Sequence, residues 1–282
     1  MYINGQPCGG AFFRGERIFD ATPKDEPFYV EDISGLANTL SIQKSGSSAP
    51  TITVEKSTDG VTWETMGTTS TTAITATIPA NGKLYLRASA TRWGDGGWSN
   101  KITASRRHNV GGNIKSLLMG SSFDGLTRNL TSTNTFAFYY LFYGNTNLVS
   151  AENLILNTTL AQDCYNSMFR GCTSLTTAPD LPATTLADAC YIGMFRGCTS
   201  LTTAPSLPAT TLVYLCYDSM FYNCTSLNYI KCLATNISAS SCLGSWVQSV
   251  APTGTFIKDA NMTSWPTGNS GIPSKWTVQD AA

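Results

Sequence analysis

Charge is the scarcest property of this chain. Only 13% of its 282 residues are Asp, Glu, Lys or Arg, about half of what globular domains usually carry. Lys+Arg and Asp+Glu balance at 18 each, so neither nucleic acid nor an anionic membrane is expected as a partner. Across residues 151–250 the only charged side chains are Glu152, Asp163, Arg170, Asp180, Asp188, Arg196, Asp218 and Lys231. Ser, Thr and Asn fill that surface instead. Histidine occurs once, at His108 in the basic stretch "SRRHN". A lone histidine there reads as solvated, and it leaves little basis for a Ser-His-Asp arrangement.

Long apolar runs are missing as well. The densest, "FAFYYLFY" at Phe136–Tyr143, has eight residues, far short of the ~20 that a membrane-crossing helix needs, so no membrane insertion is expected. The opening "MYINGQPCGGAFFRGERIFD" has neither a basic n-region nor an apolar h-region. The expectation is a chain that leaves its cell without a secretory signal, one route being inside an assembled particle released by lysis.

What is present divides the chain into five segments. Residues 1–26 read as a small β-hairpin or extended arm followed by the linker "DATPKDEP". Residues 27–105 alternate apolar and polar side chains, as in "TITVEKSTDGVTWETM". Two pairs, Asp59-Gly60 and Asn81-Gly82, stand at hairpin positions where a type I′ turn needs positive φ. Short strands at such spacing predict an antiparallel sandwich of immunoglobulin or fibronectin type III kind. Residues 106–140 read as a linker, "RRHNVGGN", and then a cap, "IKSLLMGSSFDGL", for the array that follows at 141–250. Residues 251–282 close its far end.

The array is the strongest signal. "MFRGCTSLTTAP" occurs at Met168–Pro179 and again, letter for letter, at Met194–Pro205. Cys164, Cys190, Cys216 and Cys242 stand 26 residues apart, as do Met168, Met194 and Met220, and Cys172, Cys198 and Cys224. A divergent copy begins at Leu141, so four to five units run from roughly Leu118 to Val250. A period in the 20–29 range is that of leucine-rich repeats, and a mainly β solenoid stacks each unit on the next about 5 Å away. Interior columns must then hold residues that tolerate stacking on themselves. Leu175/Leu201/Leu227, Leu186/Leu212 and Phe169/Phe195/Phe221 are such columns. "PATTL" turns the chain out of the strand, and "ADACYIGMF" reads as a short helical or irregular return.

Nine cysteines raise metal and disulfide chemistry. Zinc sites want C-x₂₋₄-C pairs, whereas the cysteines within a unit are eight apart, so neither a metal nor another cofactor is expected. Stacked cysteines fall within disulfide reach, but a column of them reads better as small buried hydrophobes with free thiols. Cys8 and Cys232 lie outside the columns. Asp180, Asp188 and Asp218 occupy positions that other units fill with Ser206, Tyr214 and Ile192, so no glycosidase-like carboxylate pair stands out. Binding side chains are sought where units vary: Tyr143, Arg170, Arg196 and Tyr222 after the ladder aromatic, and Thr176, Thr202 and Tyr229 beside the strand. Arg and aromatic groups in line are candidate anchors for a glycan or protein surface.

The motif "CYxxMFRGCTSLTTAPxLPATTL" resembles the BspA-like class of leucine-rich repeats found in gut Bacteroidales. The ending "GTFIKDANMTSWPTGNSGIPSKWTV" resembles the tail that closes such arrays there and in the crAss-like phages of these bacteria. The opening "INGQ…GAFFRGERIF" is similar to the start of phage virion components, which implies a virion anchor through Phe12, Phe13, Arg14 and Ile18. The resemblance implies a non-enzymatic virion surface protein, a head or tail fibre or decoration. Its N-terminal segment would meet other virion proteins and its repeats a host-surface glycan or protein. A bacterial cell-surface adhesin is the alternative, and a glycan-active enzyme a third reading that no acid/base constellation supports. A homo-oligomer is compatible with these roles, although no coiled-coil heptads are present.

Overall fold

The computed structural model describes residues 2–3, 6–7, 11–13, 16–19, 26–123 and 129–281. The protein is mainly β, built from several sheets of which none closes on itself. At the start, β1 (Tyr2–Ile3) pairs antiparallel with β2 (Gln6–Pro7), and β3 (Ala11–Phe13) with β4 (Glu16–Phe19). Phe12 and Phe13 therefore lie on β3 and Ile18 on β4, while Arg14 and Cys8 lie outside the described residues.

Nine strands follow: β5 (Tyr29–Asp32), β6 (Asn38–Lys44), β7 (Thr53–Ser57), β8 (Glu64–Thr68), β9 (Ile74–Ile78), β10 (Lys83–Ala88), β11 (Asn100–Ala104), β12 (His108–Asn113) and β13 (Leu148–Ile155). One sheet has the order β13-β12-β5-β10-β7-β8 and a second the order β11-β6-β9. Alternation works as period-2 physics requires. Leu84, Leu86 and Ala88 of β10 and Leu40 and Ile42 of β6 are buried in one shared core, with exposed or half-buried residues between them.

Three local expectations change. Asp59-Gly60 forms no two-residue turn, because only Gly60 has positive φ, +74°. The Asp59 carboxylate instead accepts from the Val61 and Thr62 amides at 2.8 and 2.7 Å and organises a longer loop. At Asn81-Gly82 the turn closes one residue earlier, from the Gly82 amide to the Pro79 carbonyl at 3.0 Å. Asn81 there takes the left-handed φ of 52°. No hairpin results, since β9 and β10 belong to different sheets and the turn is a crossing between them. Finally, "RRHNVGGN" is not a free linker. Its residues from His108 form β12, antiparallel to β5 and parallel to β13, so the first sheet runs directly into the repeat array. Gly112 is required there: its φ is +74°, and a Cβ would sit 2.1 Å from the Pro27 carbonyl oxygen.

The segment read as a cap makes a short helix, α1 (Ser116–Met119), seated on β10. Trp93, fully buried, donates its Nε1 proton to the Leu117 carbonyl at 2.8 Å. The array meets the first sheet through Phe28, whose ring lies 6.0 Å from that of Phe142.

Each array unit, here a rung, contains a run of overlapping β-turns rather than a helix. Amides of Cys164, Asn166, Met168, Arg170 and Cys172 donate back to Ala161, Asp163, Tyr165, Ser167 and Phe169. The intervening amides of Asp163, Tyr165, Ser167, Phe169 and Gly171 donate forward to Asp188, Cys190, Ile192, Met194 and Arg196 of the next rung. The pattern repeats from 189 to 198. Every amide in the run is thus paired, alternately within and between rungs, which is what burial demands of a backbone. The geometry places a left-handed residue at every fourth position: Asp163/Ser167/Gly171, Ala189/Gly193/Gly197, Leu215/Ser219/Asn223 and Ser241/Ser245/Ser249, with Phe136/Tyr140/Gly144 one rung earlier. Five rungs follow from these five triplets.

Two aromatic ladders fill the interior. Phe142, Phe169, Phe195 and Phe221 stack at 5.2, 5.5 and 5.7 Å between ring centroids. Phe138, Tyr165, Tyr191 and Tyr217 stack beside them at 5.5, 5.8 and 6.1 Å. Such pairs add about 0.5–1.5 kcal/mol each beyond their buried area. The ladders meet at Trp246, 6.1 Å from Phe221 and 6.4 Å from Tyr217. Beyond it, the parallel sheet of β14 (Tyr229–Cys232), β15 (Thr255–Lys258) and β16 (Thr277–Asp280) closes the chain. Trp246 ties this end down by donating Nε1–H to the Gly271 carbonyl at 2.8 Å.

Candidate functional site

The turn run presents one side chain per rung just before its third left-handed residue: Tyr143, Arg170, Arg196, Tyr222 and, in the last rung, Gln248. The first four, but not Gln248, line one open groove of about 250 Å³. Its other lining residues are Gly144, Gly171, Gly197 and Asn223. The floor is bare backbone: at Gly171 a Cβ would meet only Gly144, at 3.6 Å.

Cations and rings interleave along this line. The Arg196 guanidinium lies 4.3 Å from the Tyr222 ring and that of Arg170 lies 5.6 Å from Tyr143. From the second sheet, Lys101 of β11 places Nζ 4.5 Å from the same Tyr143 ring. Tyr143 also stacks on Tyr140 at 4.8 Å, and Tyr140 on Tyr139 at 4.1 Å. Burial pushes the Lys101 ammonium below its ordinary range, offset to some degree by Tyr140. On its other side Lys101 lines a second depression of about 300 Å³ with Gln43, Lys44, Ser45 and Thr103. Among the described residues no Asp or Glu lines either hollow, and no ion pair reaches Lys101, Arg170 or Arg196.

The other candidates fall elsewhere. Thr176, Thr202 and Tyr229 do not line the groove. Thr176 donates its hydroxyl to the Val149 carbonyl at 3.0 Å, and Tyr229 bridges in parallel to Thr203. They belong to the strand column that joins rungs. Sequence reasoning misses Lys101 and Tyr140. Tyr140 carries a signal, since it stands three residues before Tyr143 in "FAFYYLFY". Lys101 carries none, because only the sheet-to-array junction brings it near.

Two buried groups differ in character from this surface. The expectation of a solvated His108 is overturned, because the ring is fully buried. Its Nδ1 lies 2.9 Å from the Arg106 carbonyl and its Nε2 lies 3.0 Å from the Asn145 amide nitrogen. The carbonyl can only accept and the amide donates, so Nδ1 carries the proton and the ring is neutral. Burial lowers its pKa from 6.5.

All eight described cysteines are free and buried. Burial raises the thiols of Cys164, Cys216, Cys224 and Cys232 to about 12. Cys172, Cys198 and Cys224 sit 3.1, 3.1 and 3.0 Å from the carbonyls of Phe142, Phe169 and Phe195. The thiol proton therefore closes onto the preceding rung, which a valine could not do. Among the described residues no three His, Cys, Asp or Glu side chains gather as metal ligands. None of their helices is long and apolar enough to cross a membrane.

Comparison with protein-family models, curated proteins and solved structures finds no match to this chain. The functional reading therefore rests on the chain's own chemistry.

Proposed function

We propose that the chain is a non-enzymatic display protein of a phage virion surface. In this reading residues 1–26 attach to other virion proteins, and the two facing sheets form a β-sandwich spacer. The rungs form a leucine-rich-repeat solenoid of the BspA-like kind, presented to a bacterial host surface.

The observation that carries the reading is the division of labour within a rung. Interior positions copy themselves in ladders of Cys, Tyr, Phe and Leu, while the outward position before the third left-handed residue changes from Tyr143 to Arg170, Arg196 and Tyr222. A self-stacking scaffold with a variable outer row is how repeat proteins build recognition surfaces. The continuous core from Phe28 to Trp276 makes the displayed region a single stiff body. That stiffness suits a spacer-and-tip arrangement.

Two measurements test this. Purified particles examined by mass spectrometry contain the chain, and the isolated protein binds intact host cells. Absence from particles together with presence on the bacterial envelope would replace the virion reading with that of a cell-surface adhesin.

A further inference from the structure

We infer that the groove of Tyr143, Arg170, Arg196 and Tyr222, extended by Lys101, binds a linear acidic glycan that carries one carboxylate on each successive sugar. This rests on the display reading only in assigning that glycan to a host surface.

The first support is periodicity. Arg170 and Arg196 occupy equivalent places on successive rungs, directly after Phe169 and Phe195, whose rings are 5.5 Å apart. Lys101 over Tyr143 supplies the same charge on the rung before. Lys101 and Arg170 meet at the Tyr143 ring and Arg196 lies at Tyr222, so cations stand at both ends of the groove, and a polymer with an anion on every sugar reaches both in any register.

The second support is preorganisation. Each arginine is held over a tyrosine face, so its rotamer freedom is already spent before a ligand arrives. The cations cover the rings they lie on, which leaves the N–H edges of the guanidinium groups as the feature a ligand meets. Those edges present paired N–H groups with the geometry of a carboxylate. Among the described residues no carboxylate competes for them in the groove. Lys101 is held there partly buried, with no acid of the described residues paired to it. An anion arriving at Tyr143 would remove that electrostatic penalty.

The third support is the floor. Gly144, Gly171 and Gly197 keep it free of side chains, so a flat polymer can lie along the rungs against the backbone.

The test is calorimetric titration of the full chain with polygalacturonate, its fully methyl-esterified form and polyglutamate of equal charge. Polygalacturonate binds, more weakly as salt rises. The ester does not bind, and polyglutamate binds about tenfold more weakly or worse. The pair Arg170→Gln/Arg196→Gln loses about tenfold or more in affinity, while Lys275→Gln, an exposed cation elsewhere, loses none. If the glutamine pair melts early, Arg170→Lys/Arg196→Lys replaces it, with an intermediate loss expected because the paired N–H geometry is gone. The proposal is overturned by absent polygalacturonate binding, by equal binding of the ester or of polyglutamate, or by an unaffected glutamine pair. Host-cell binding by the same variant separates the two readings. Undiminished cell binding removes the assignment of that glycan to the host surface but keeps display. Groove binding without any cell binding removes display but keeps the groove.

Discussion

The tyrosine ladder offers a test in which one substitution has opposite effects at equivalent positions. Tyr165, Tyr191 and Tyr217 stack in register and are all fully or almost fully buried. Among the described residues only Tyr165 has a partner for its hydroxyl. It donates to Asn157 Oδ1 at 2.6 Å and accepts from the Asn157 backbone N–H at 3.0 Å. The next rungs carry Ala183 and Ala209 in the place of Asn157, and the hydroxyls of Tyr191 and Tyr217 find no partner among the described residues.

Replacing Tyr165 with Phe strands two polar groups of Asn157, itself 1% exposed, at a cost of about 1–3 kcal/mol. Replacing Tyr191 with Phe removes a hydroxyl that is buried without a bond. That relieves up to about 1 kcal/mol, less a small packing loss for one oxygen. The same deletion is therefore expected to differ by about 2–3 kcal/mol between adjacent rungs. Urea unfolding of Tyr165→Phe, Tyr191→Phe and Tyr217→Phe at constant m measures it. A cycle through Asn157→Ala, which keeps the backbone N–H, isolates the side-chain bond to Oδ1, with an expected coupling of about 1–2 kcal/mol. Equal destabilisation at all three positions, or no coupling to Asn157, would refute the hydrogen-bond reasoning and leave ring packing as the whole effect.

Three further outcomes follow from the buried chemistry. Because burial raises the column thiols, to about 12 at Cys164 and Cys224 and well above the ordinary range at Cys190 and Cys198, iodoacetamide at mildly alkaline pH leaves these columns unlabelled until the protein unfolds; mass spectrometry finding a rapidly alkylated Cys172 or Cys198 would contradict the ladder. His108 titrates below its ordinary 6.5 in the folded chain, so the unfolded state takes up the proton first. Stability is complete above that value and drains as pH falls towards the folded pKa, by at most ~1.4 kcal/mol per pH unit. His108→Gln flattens that slope in urea titrations. Gly197→Ala costs about 1–2 kcal/mol in thermal or urea unfolding through its φ of +74° alone, since the added Cβ would meet only the Gly171 backbone, at 3.8 Å.

How much of this is legible in the sequence depends on whether the constraint fixes a letter or only a conformation. Interior columns fix letters, because a ring or thiol must match its copy 26 residues on. Their register is readable, although the Tyr165/Tyr191/Tyr217 ladder is easily passed over inside "CYxxMF". The left-handed positions fix only a dihedral. Asp163, Ala189, Leu215 and Ser241 share one column and one φ near 55°, yet no residue type unites them, so the letters of the turn run suggest a helical or irregular return. Long-range pairing hides the rest. The two turn signals of the first sheets mark reversals, but whether the flanking strands join one sheet is decided far away. His108 is buried by Asn145 and by strands on both sides, none of which "SRRHN" announces.

The placement of charge argues that the groove is more than a by-product of copying. Duplication accounts for Arg170 and Arg196 having the same letter, but not for their being retained side by side. Lys101 and Arg170 also lie against the same Tyr143 ring, and like charges at such range repel by a few tenths to roughly 1 kcal/mol even in water. A chain using charge for solubility alone would separate them. Residues 151–250 contain just three cations, Arg170, Arg196 and Lys231. Two of them line this groove, and Lys101 of β11 lies over the Tyr143 ring that lines it too. The neighbouring rungs answer with tyrosines whose faces hold those cations in place. The carboxylates of the same span, Glu152, Asp163, Asp180, Asp188 and Asp218, stay out of the lining. An arrangement that accepts repulsion and withholds nearby acids is stabilised further when an external anion is present, and the row of glycines leaves the space in which that anion can lie.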